Sequence, residues 1–174
     1  KRLMRIIIFG NGFLGNRIAG AIGEGRISVD ITDRVAVLNA LVSSRADVVI
    51  NTAGKTGRPN VDWCENHREE TYHVNVVGAL NVATACREVG AHLIHLGSGC
   101  IFYGVGGSQA TYCEADFANP LSYYSKTKYA CDHLIGDLPH VAILRLRMPI
   151  DGAPHPRNLI TKLSTYRSVI DVVN

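Results

Sequence analysis

What this chain lacks narrows its options first. Its 174 residues contain no apolar stretch approaching the ~18 needed to span a bilayer, so no membrane partner is expected. The 18 Lys and Arg are interspersed with the 15 Asp and Glu, giving a net charge of +3 without any long run of one sign. Nucleic-acid binders concentrate positive charge, so none is expected as a partner; a mildly basic surface suits a small anionic ligand instead. The five cysteines, at 64, 86, 100, 113 and 131, are odd in number, show no C-x-x-C spacing and follow no leader-like segment. This pattern predicts free thiols in a reducing cytoplasm. The seven histidines form no H-x-x-x-H pair beside an acid, so no metal site is expected. Repeats and low-complexity tracts are absent as well. What is present is 47% apolar residues, enough for one domain with a sizeable core. Because the chain opens on Lys1 and closes in the strand-like run YRSVIDVVN, both ends read as cut from something longer.

The apolar pattern alternates between strands and helices. RIIIF at residues 5–9 predicts a strand that runs into GNGFLG and a helix whose apolar positions are Phe13, Leu14, Ile18, Ala19 and Ile22. Ile27 to Ile31 reads as a second strand. Asp33 is placed to cap a helix with Val37, Leu38, Leu41 and Val42 on one face. Further strands are expected at Asp47–Ile50, Ala91–Leu96 and Val141–Leu146, with a long helix from Glu69 to Val89 and another opened by Pro120. Strands that are apolar throughout, alternating with helices, imply a Rossmann-type α/β fold: a doubly wound parallel sheet covered on both faces.

Gly10-Asn-Gly12-Phe-Leu-Gly15 fits G-x-G-x-x-G in the strand–turn–helix context that gives the pattern meaning. The glycines permit a tight turn, a close approach of backbone to a pyrophosphate, and close packing of helix on strand. Asp30, about 20 residues on, stands where an acid meets the adenosine ribose. It is equally placed to cap the following helix together with Asp33, or to approach the adenine from the next strand, which leaves NAD against NADP open. Arg26 and Arg34 are candidate partners for a 2′-phosphate. Ala53 and Gly54, in NTAG at the end of a strand, leave room for a dinucleotide against the backbone. Asn75 lies within a helix that asparagine does not favour, which implies a buried hydrogen bond near the site.

Ser98 and Cys100 end the run LIHLGSGCIF, 26 residues before the Tyr124-x-x-x-Lys128 pair of YSKTK. A phenol is a poor acid–base group near neutrality unless a cation tunes it, and positions four apart share a helix face. Ser98 is placed to hold a carbonyl oxygen while Tyr124 gives or takes a proton.

With these parts in order the chain resembles the extended short-chain dehydrogenase/reductases along nearly its whole length. The segments GKTGRPNVDWCENHREETYHVNVVGALNVA, GCIF, YSKTK and MPIDGAPHPRNLITK look, more narrowly, like the bifunctional nucleotide-rhamnose synthases, which act as UDP-4-keto-6-deoxyglucose 3,5-epimerase/4-reductase, with dTDP-4-dehydrorhamnose reductase as the general relative. The resemblance implies NADPH, or NADH, as cofactor, with contacts at Gly10, Gly12, Phe13, Leu14, Gly15, Asp30, Ile31, Ala53, Gly54, Lys55, Asn75, Tyr124, Lys128 and Met148. It implies Tyr124 as general acid at C4, Lys128 as its tuner and ribose contact, and Ser98 as the group orienting the carbonyl. Cys100 and Lys162 match the epimerase pair. Thr56, Arg58, Asn60, Ser98, Cys100, Arg157 and Asn158 are implied to meet a UDP- or dTDP-linked 4-keto-6-deoxyhexose. A homodimer is expected, with residues 1–150 as the dinucleotide-binding domain and 151–174 as the start of a substrate region. Rival readings are a 4-reductase alone, a non-catalytic reductase-like regulatory subunit of the kind that partners methionine adenosyltransferase, and a GDP-fucose-synthase-like enzyme, which is expected to lack GRPNVDWCE.

Overall fold

A computed structural model of the chain describes residues 3–23, 25–104 and 111–165; the terminal run YRSVIDVVN lies outside them. Five parallel strands form one sheet, β1 (Ile6–Phe9), β2 (Arg26–Ile27), β3 (Val48–Asn51), β4 (His92–Ser98) and β5 (Val141–Leu146), in the spatial order β2-β1-β3-β4-β5. Ile6 to Phe9 lie opposite Val48 to Asn51, and those in turn lie opposite His92 to His95. The chain adds β2 on one side of β1 and then crosses to place β3 on the other. That reversal opens a crevice beyond the carboxyl ends of the strands, where ligands bind in sheets of this kind. Around the sheet run α1 (Phe13–Ile22), α2 (Arg34–Ser44), α3 (Trp63–Asn66), α4 (Arg68–Tyr72), α5 (Ala79–Val89), α6 (Tyr123–Ile135) and α7 (Leu159–Thr165). Among the described residues no helix is long and apolar enough to cross a membrane.

The core is the layer between the sheet and the α2–α5 face. Phe9, Val37, Leu41, Val49, Val82 and Cys86 are fully buried there, together with Ile135 from α6. The expected apolar face of α2 is half right: Val37 and Leu41 are buried, but Val42 is 59% exposed. Helix α2 begins where expected because the Asp33 carboxylate accepts from Ala36 N at 3.0 Å, satisfying one of the first-turn donors.

Two elements differ from the sequence expectation. The second strand stops at Ile27 rather than Ile31, because the chain turns: Asp30 Oδ1 accepts from Thr32 N at 2.9 Å and Thr32 Oγ1 at 2.7 Å, and Asp33 N donates to Asp30 O at 3.1 Å. A short polar side chain that bonds its own backbone two residues on competes with the sheet ladder, and here it wins. The long helix expected over Glu69–Val89 is broken by a π-helical segment, His73–Gly78, between α4 and α5. Asn75 sits in that segment, 1% exposed, where the wider turn turns its amide inward. Gly78 lies so close to the turn after β2 that a Cβ on it would stand 2.7 Å from Ile31 Cγ1.

Leu41→Ala is expected to lower the unfolding free energy by roughly 2–5 kcal/mol, as a fully buried leucine usually does. Asp33→Ala should cost about 1 kcal/mol through the lost helix cap. Urea unfolding followed by circular dichroism reads both, and an Asp33→Ala chain as stable as its parent would remove the cap from the account of α2.

Candidate active site

The glycine turn divides its labour among its three glycines. Gly10 has φ +107°, and a Cβ there would stand 2.5 Å from Thr52 Oγ1; at Gly15 it would stand 2.2 Å from Gly10 O. Those two glycines are required by the packing of β1 and α1 against the end of β3. Gly12 is different, since a Cβ on it would meet nothing within 4 Å. It is the N-cap of α1, and no side chain bonds the free N–H groups of that first turn. A cleft of about 260 Å³ opens in front of it, lined by Gly10, Gly12, Asp30, Thr52, Ala53 and Gly54 among others. An uncapped helix start facing an open cleft fits a pyrophosphate, so the donor set suits a dinucleotide. Ile31 lines the same cleft. Its neighbour Asp30 is exposed, and the two bonds from Thr32 hold its carboxyl below the usual carboxylate range. Of the two arginines considered for a 2′-phosphate, Arg34 is paired with Glu88 at 2.6 Å, whereas Arg26 lies beside the glycine turn and bonds Asn16.

The candidate reacting groups gather at the end of β4. Ser98 is the last residue of the strand, 4% exposed, and its Oγ accepts from Cys100 N at 3.2 Å. Cys100 follows in a single 3₁₀ turn and is partly exposed. Helix α6 is capped by Ser122, which accepts from Ser125 N, and its first residue is anchored by Tyr123 N donating to Glu65 Oε1 at 2.6 Å. This brings the Tyr124 phenol over the strand end, beside the Ser98 hydroxyl. Burial raises the phenol above its ordinary pKa. The neighbouring Ser98 hydroxyl opposes that shift, the Cys100 and Cys64 thiols add to it, and the Arg157 guanidinium opposes it. Tyr124 therefore rests protonated near neutrality, as a general acid must.

Lys128 behaves differently from the expectation of a lysine-tuned phenol. It is 4% exposed, and its Nζ donates to Leu96 O at 2.8 Å and lies 3.0 Å from His95 Nε2. Sharing a helix face with Tyr124 does not make the two heads meet: the lysine stem runs inward against β4, and the cation acting on the phenol is Arg157. Burial is the main reason that the Lys128 ammonium is disfavoured and its pKa lowered.

Loops from three elements close the rest of the site. Arg157 Nη1 bonds Thr56 Oγ1 at 2.5 Å and Nη2 bonds Gly57 O at 3.1 Å, tying the segment before α7 to the loop after β3. On the other side Arg17 pairs with Asp151, and His155 stacks on Phe13 with ring centroids 4.4 Å apart. Asn75 accepts from Lys55 N at 2.7 Å and donates to Lys55 O at 3.0 Å and Thr127 Oγ1 at 3.1 Å, so its amide clamps the loop after β3 to α6. Lys55 itself pairs with Glu70 and lies 5.0 Å over the Trp63 ring. Asn158, 2% exposed, bonds the backbone of Asp151, Ala153 and Ile160 within its own loop. Asn60 bonds Asp62 in the same local manner, and Arg58 is exposed. Leu14 is half-buried in α1, and Met148 holds a left-handed backbone, φ +49°, just past β5. Ser98, Cys100, Tyr124 and Arg157 are thus brought together. Lys162, on α7, is joined to none of them by a hydrogen bond or ion pair among the described residues. Sequence reasoning left Cys64 and His95 without roles. Cys64 belongs to the GRPNVDWCE segment, which was a usable signal; nothing local marks His95. Among the described residues no group of three or more His, Cys, Asp or Glu side chains could hold a metal ion.

Gly15→Ala should destabilise the chain by roughly 1–3 kcal/mol, since its Cβ has no room, whereas Gly12→Ala should stay within about 1 kcal/mol of the parent. Equal losses in urea would contradict the division of roles. Because Tyr124 has its folded pKa raised, its contribution to stability is fully present below the unfolded value of about 10 and is lost as pH rises through the folded value. Tyr124→Phe should therefore flatten the alkaline fall in stability, measured as unfolding free energy against pH.

Comparison with known proteins bears on the chain as a whole. The model of the RmlD substrate binding domain matches residues 4–172. A bifunctional dTDP-4-dehydrorhamnose 3,5-epimerase/dTDP-4-dehydrorhamnose reductase of Arabidopsis thaliana is 44% identical over 158 residues, 87% of this chain and 51% of its own length. Among solved structures, a UDP-rhamnose synthase from Acanthamoeba polyphaga mimivirus superposes with a TM-score of 0.83 at 32% identity, over 95% of this chain and 63% of that one. A dTDP-4-dehydrorhamnose reductase from Bacillus anthracis in complex with NADP gives 0.73 at 28% identity, over 83% of this chain and 53% of that one. The chain therefore spans between half and two thirds of these relatives. The Rossmann-type fold is that of the extended short-chain dehydrogenase/reductases, and with its match running almost end to end the chain belongs to the RmlD substrate-binding-domain family.

Proposed function

We propose that this chain carries the dinucleotide-binding and ketone-reducing site of an enzyme that makes a nucleotide-linked L-rhamnose from a nucleotide 4-keto-6-deoxyhexose. The observation that carries the reading is that Tyr124 and Ser98 stand together at the same strand ends as the open, uncapped glycine turn. The relatives' activities, 4-keto reduction and in the plant protein 3,5-epimerisation, support it. Residues 1–150 form the dinucleotide-binding part and 151–174 begin the substrate region.

NADPH, when bound, supplies the hydride; the residues of this chain supply position and protons. Gly12 and the first turn of α1 hold the pyrophosphate, and Ala53 and Gly54 let the dinucleotide lie against the end of β3. Arg26 is the arginine placed to meet a 2′-phosphate. Ser98 Oγ donates to the C4 carbonyl oxygen, and Tyr124 gives its phenolic proton to the same oxygen as the carbon is reduced. Arg157, already a neighbour of the phenol, stabilises the phenolate left behind. Epimerisation is compatible with the same ketone, since C3 and C5 both lie α to C4 and their protons are removed to give a stabilised enolate. Cys100 is the group beside Tyr124 placed to take such a proton, with Lys162 as its counterpart on the opposite face. The nucleotide sugar is the partner, and a second copy of the chain is the expected assembly.

Tyr124→Phe should lower NADPH oxidation with a nucleotide 4-keto-6-deoxyglucose by about a hundredfold to ten-thousandfold, the usual contribution of a general acid, while NADPH affinity by fluorescence titration stays near that of the parent. Undiminished turnover would sink the assignment. In deuterated solvent, product from the parent chain should carry deuterium at C3 and C5. Cys100→Ala should abolish that label and still reduce pre-epimerised substrate; unchanged labelling in the variant would remove the Cys100 assignment, and a parent product without label would leave a 4-reductase only.

A further inference from the structure

The segment GRPNVDWCE carries the narrowest part of the family resemblance, yet several of its side chains bond one another. Gly57 has φ +69°, and a Cβ on it would stand 2.6 Å from Trp63 Cβ and 2.7 Å from Asn60 O, so the loop folds tightly back on itself. Asn60 Oδ1 accepts from Asp62 N at 3.0 Å, and its Nδ2 donates to Asp62 Oδ2 at 2.9 Å. Trp63 stacks on His67 with ring centroids 3.6 Å apart, and Cys64 is fully buried. A loop held at so many points keeps its shape, and what it grips lies at its two ends. At the first end, Thr56 Oγ1 and Gly57 O accept from Arg157. At the second, Glu65 reaches the first turn of α6: its Oε1 accepts from Tyr123 N at 2.6 Å, and its Oε2 lies 3.4 Å from Arg68 Nη2. Arg68 Nε donates to Glu65 O at 3.1 Å, and its guanidinium lies 5.2 Å over the Tyr123 ring.

The first-turn N–H groups of a helix find no partner within it. In α6 the Ser122 hydroxyl satisfies one of them, accepting from Ser125 N at 3.1 Å. Glu65, 58 residues before Tyr123, satisfies another with a carboxylate, a stronger acceptor than a hydroxyl and of the charge that a helix N-terminus favours. We propose that Glu65 is a positioning residue for Tyr124: by capping α6 at Tyr123 N it sets the phenol, one residue on, beside Ser98, while the same loop holds Arg157 at its other end. Glu65 acts through the helix and takes no part in the proton transfer. The body of α6 has separate anchors a turn further on, with Asn75 bonded to Thr127 Oγ1 at 3.1 Å and Lys128 Nζ to Leu96 O at 2.8 Å. Without Glu65 the helix therefore stays docked on β4, while its first turn, with Tyr124 in it, loosens. The bond itself is independent of the proposed function; its catalytic meaning rests on reading Tyr124 as the general acid of a 4-keto reductase.

Amide hydrogen exchange followed by NMR reads the bond directly. The Tyr123 amide should exchange about tenfold faster in Glu65→Ala than in the parent, the scale of one hydrogen bond to a charged group. Glu65→Gln, whose amide oxygen still accepts, should keep most of the protection. A Tyr123 amide that exchanges equally fast in the parent and in Glu65→Ala overturns the proposal. Kinetics with NADPH and a nucleotide 4-keto-6-deoxyglucose read the role. Glu65→Ala should lower kcat about tenfold to a hundredfold, the scale of a reacting group displaced by about an ångström. NADPH affinity by fluorescence titration should stay within about twofold of the parent, because the glycine turn and the end of β3 are untouched. Glu65→Gln should recover kcat to within about threefold of the parent, since it loses the charge but keeps the acceptor. An undiminished kcat in Glu65→Ala, or equal losses in Glu65→Ala and Glu65→Gln, denies Glu65 the positioning role. A parent chain with a protected Tyr123 amide that turns over no 4-keto sugar overturns the reductase reading and leaves Glu65 as the cap of α6 alone.

Discussion

The site depends on a buried line of hydrogen bonds that crosses the sheet. Ala53 N bonds Asn51 at the end of β3, Asn51 bonds His95 in β4, and His95 meets Lys128 from α6, whose amine also bonds Leu96 O. Each member is an internal polar group that would cost a few kcal/mol if left unpaired, so the line persists only when β3, β4 and α6 are all in register. Ser98 is on one of these elements and Tyr124 on another, and their placement side by side inherits that register. The Asn75 clamp repeats the logic one layer outward, fixing Lys55 and Thr127 to each other through a single amide. A sheet built only from apolar contacts could tolerate small slips of α6 along β4; a directional line of donors and acceptors cannot.

Much of this frame was legible in the sequence, and what was legible was local. The strand β1, the turn GNGFLG and the start of α1 follow from two glycines, Gly10 and Gly15, whose conformational and steric demands lie within a few residues of them or across one strand pair. The cap at Asp33 is equally local. The same locality misled at Ile27–Ile31, where β-branched residues read as a strand while Asp30, among them, folds back on Thr32. A period of 3.6 cannot register the extra residue of a π segment, so the helix from Glu69 to Val89 read as continuous. Side-chain heads were the least legible. Residues four apart share a face, but whether a four-carbon stem turns toward Tyr124 or into β4 is decided by a carbonyl and an imidazole more than thirty positions away. Asn158 is a further case: an asparagine beside an arginine suggests ligand contact, and here its amide is taken up by its own loop.

These placements change how the reacting phenol is understood. A cation close to Tyr124 would favour the phenolate, which suits a base that removes a proton from an alcohol. Reduction of a ketone runs the other way and needs the proton present at the start. Burial of Tyr124 together with a lysine drawn away toward Leu96 favours the protonated phenol. Arg157 acts in the opposite sense but less strongly than burial, so its influence is felt chiefly once the proton has gone and a negative phenolate remains. That guanidinium is anchored on Thr56 and Gly57, in the loop after β3. On the proposed function, the segment expected to meet the sugar is thereby coupled to the cation beside the Tyr124 phenol. Displacing Arg157 from either anchor would move the guanidinium relative to the phenol and so change the acidity of Tyr124.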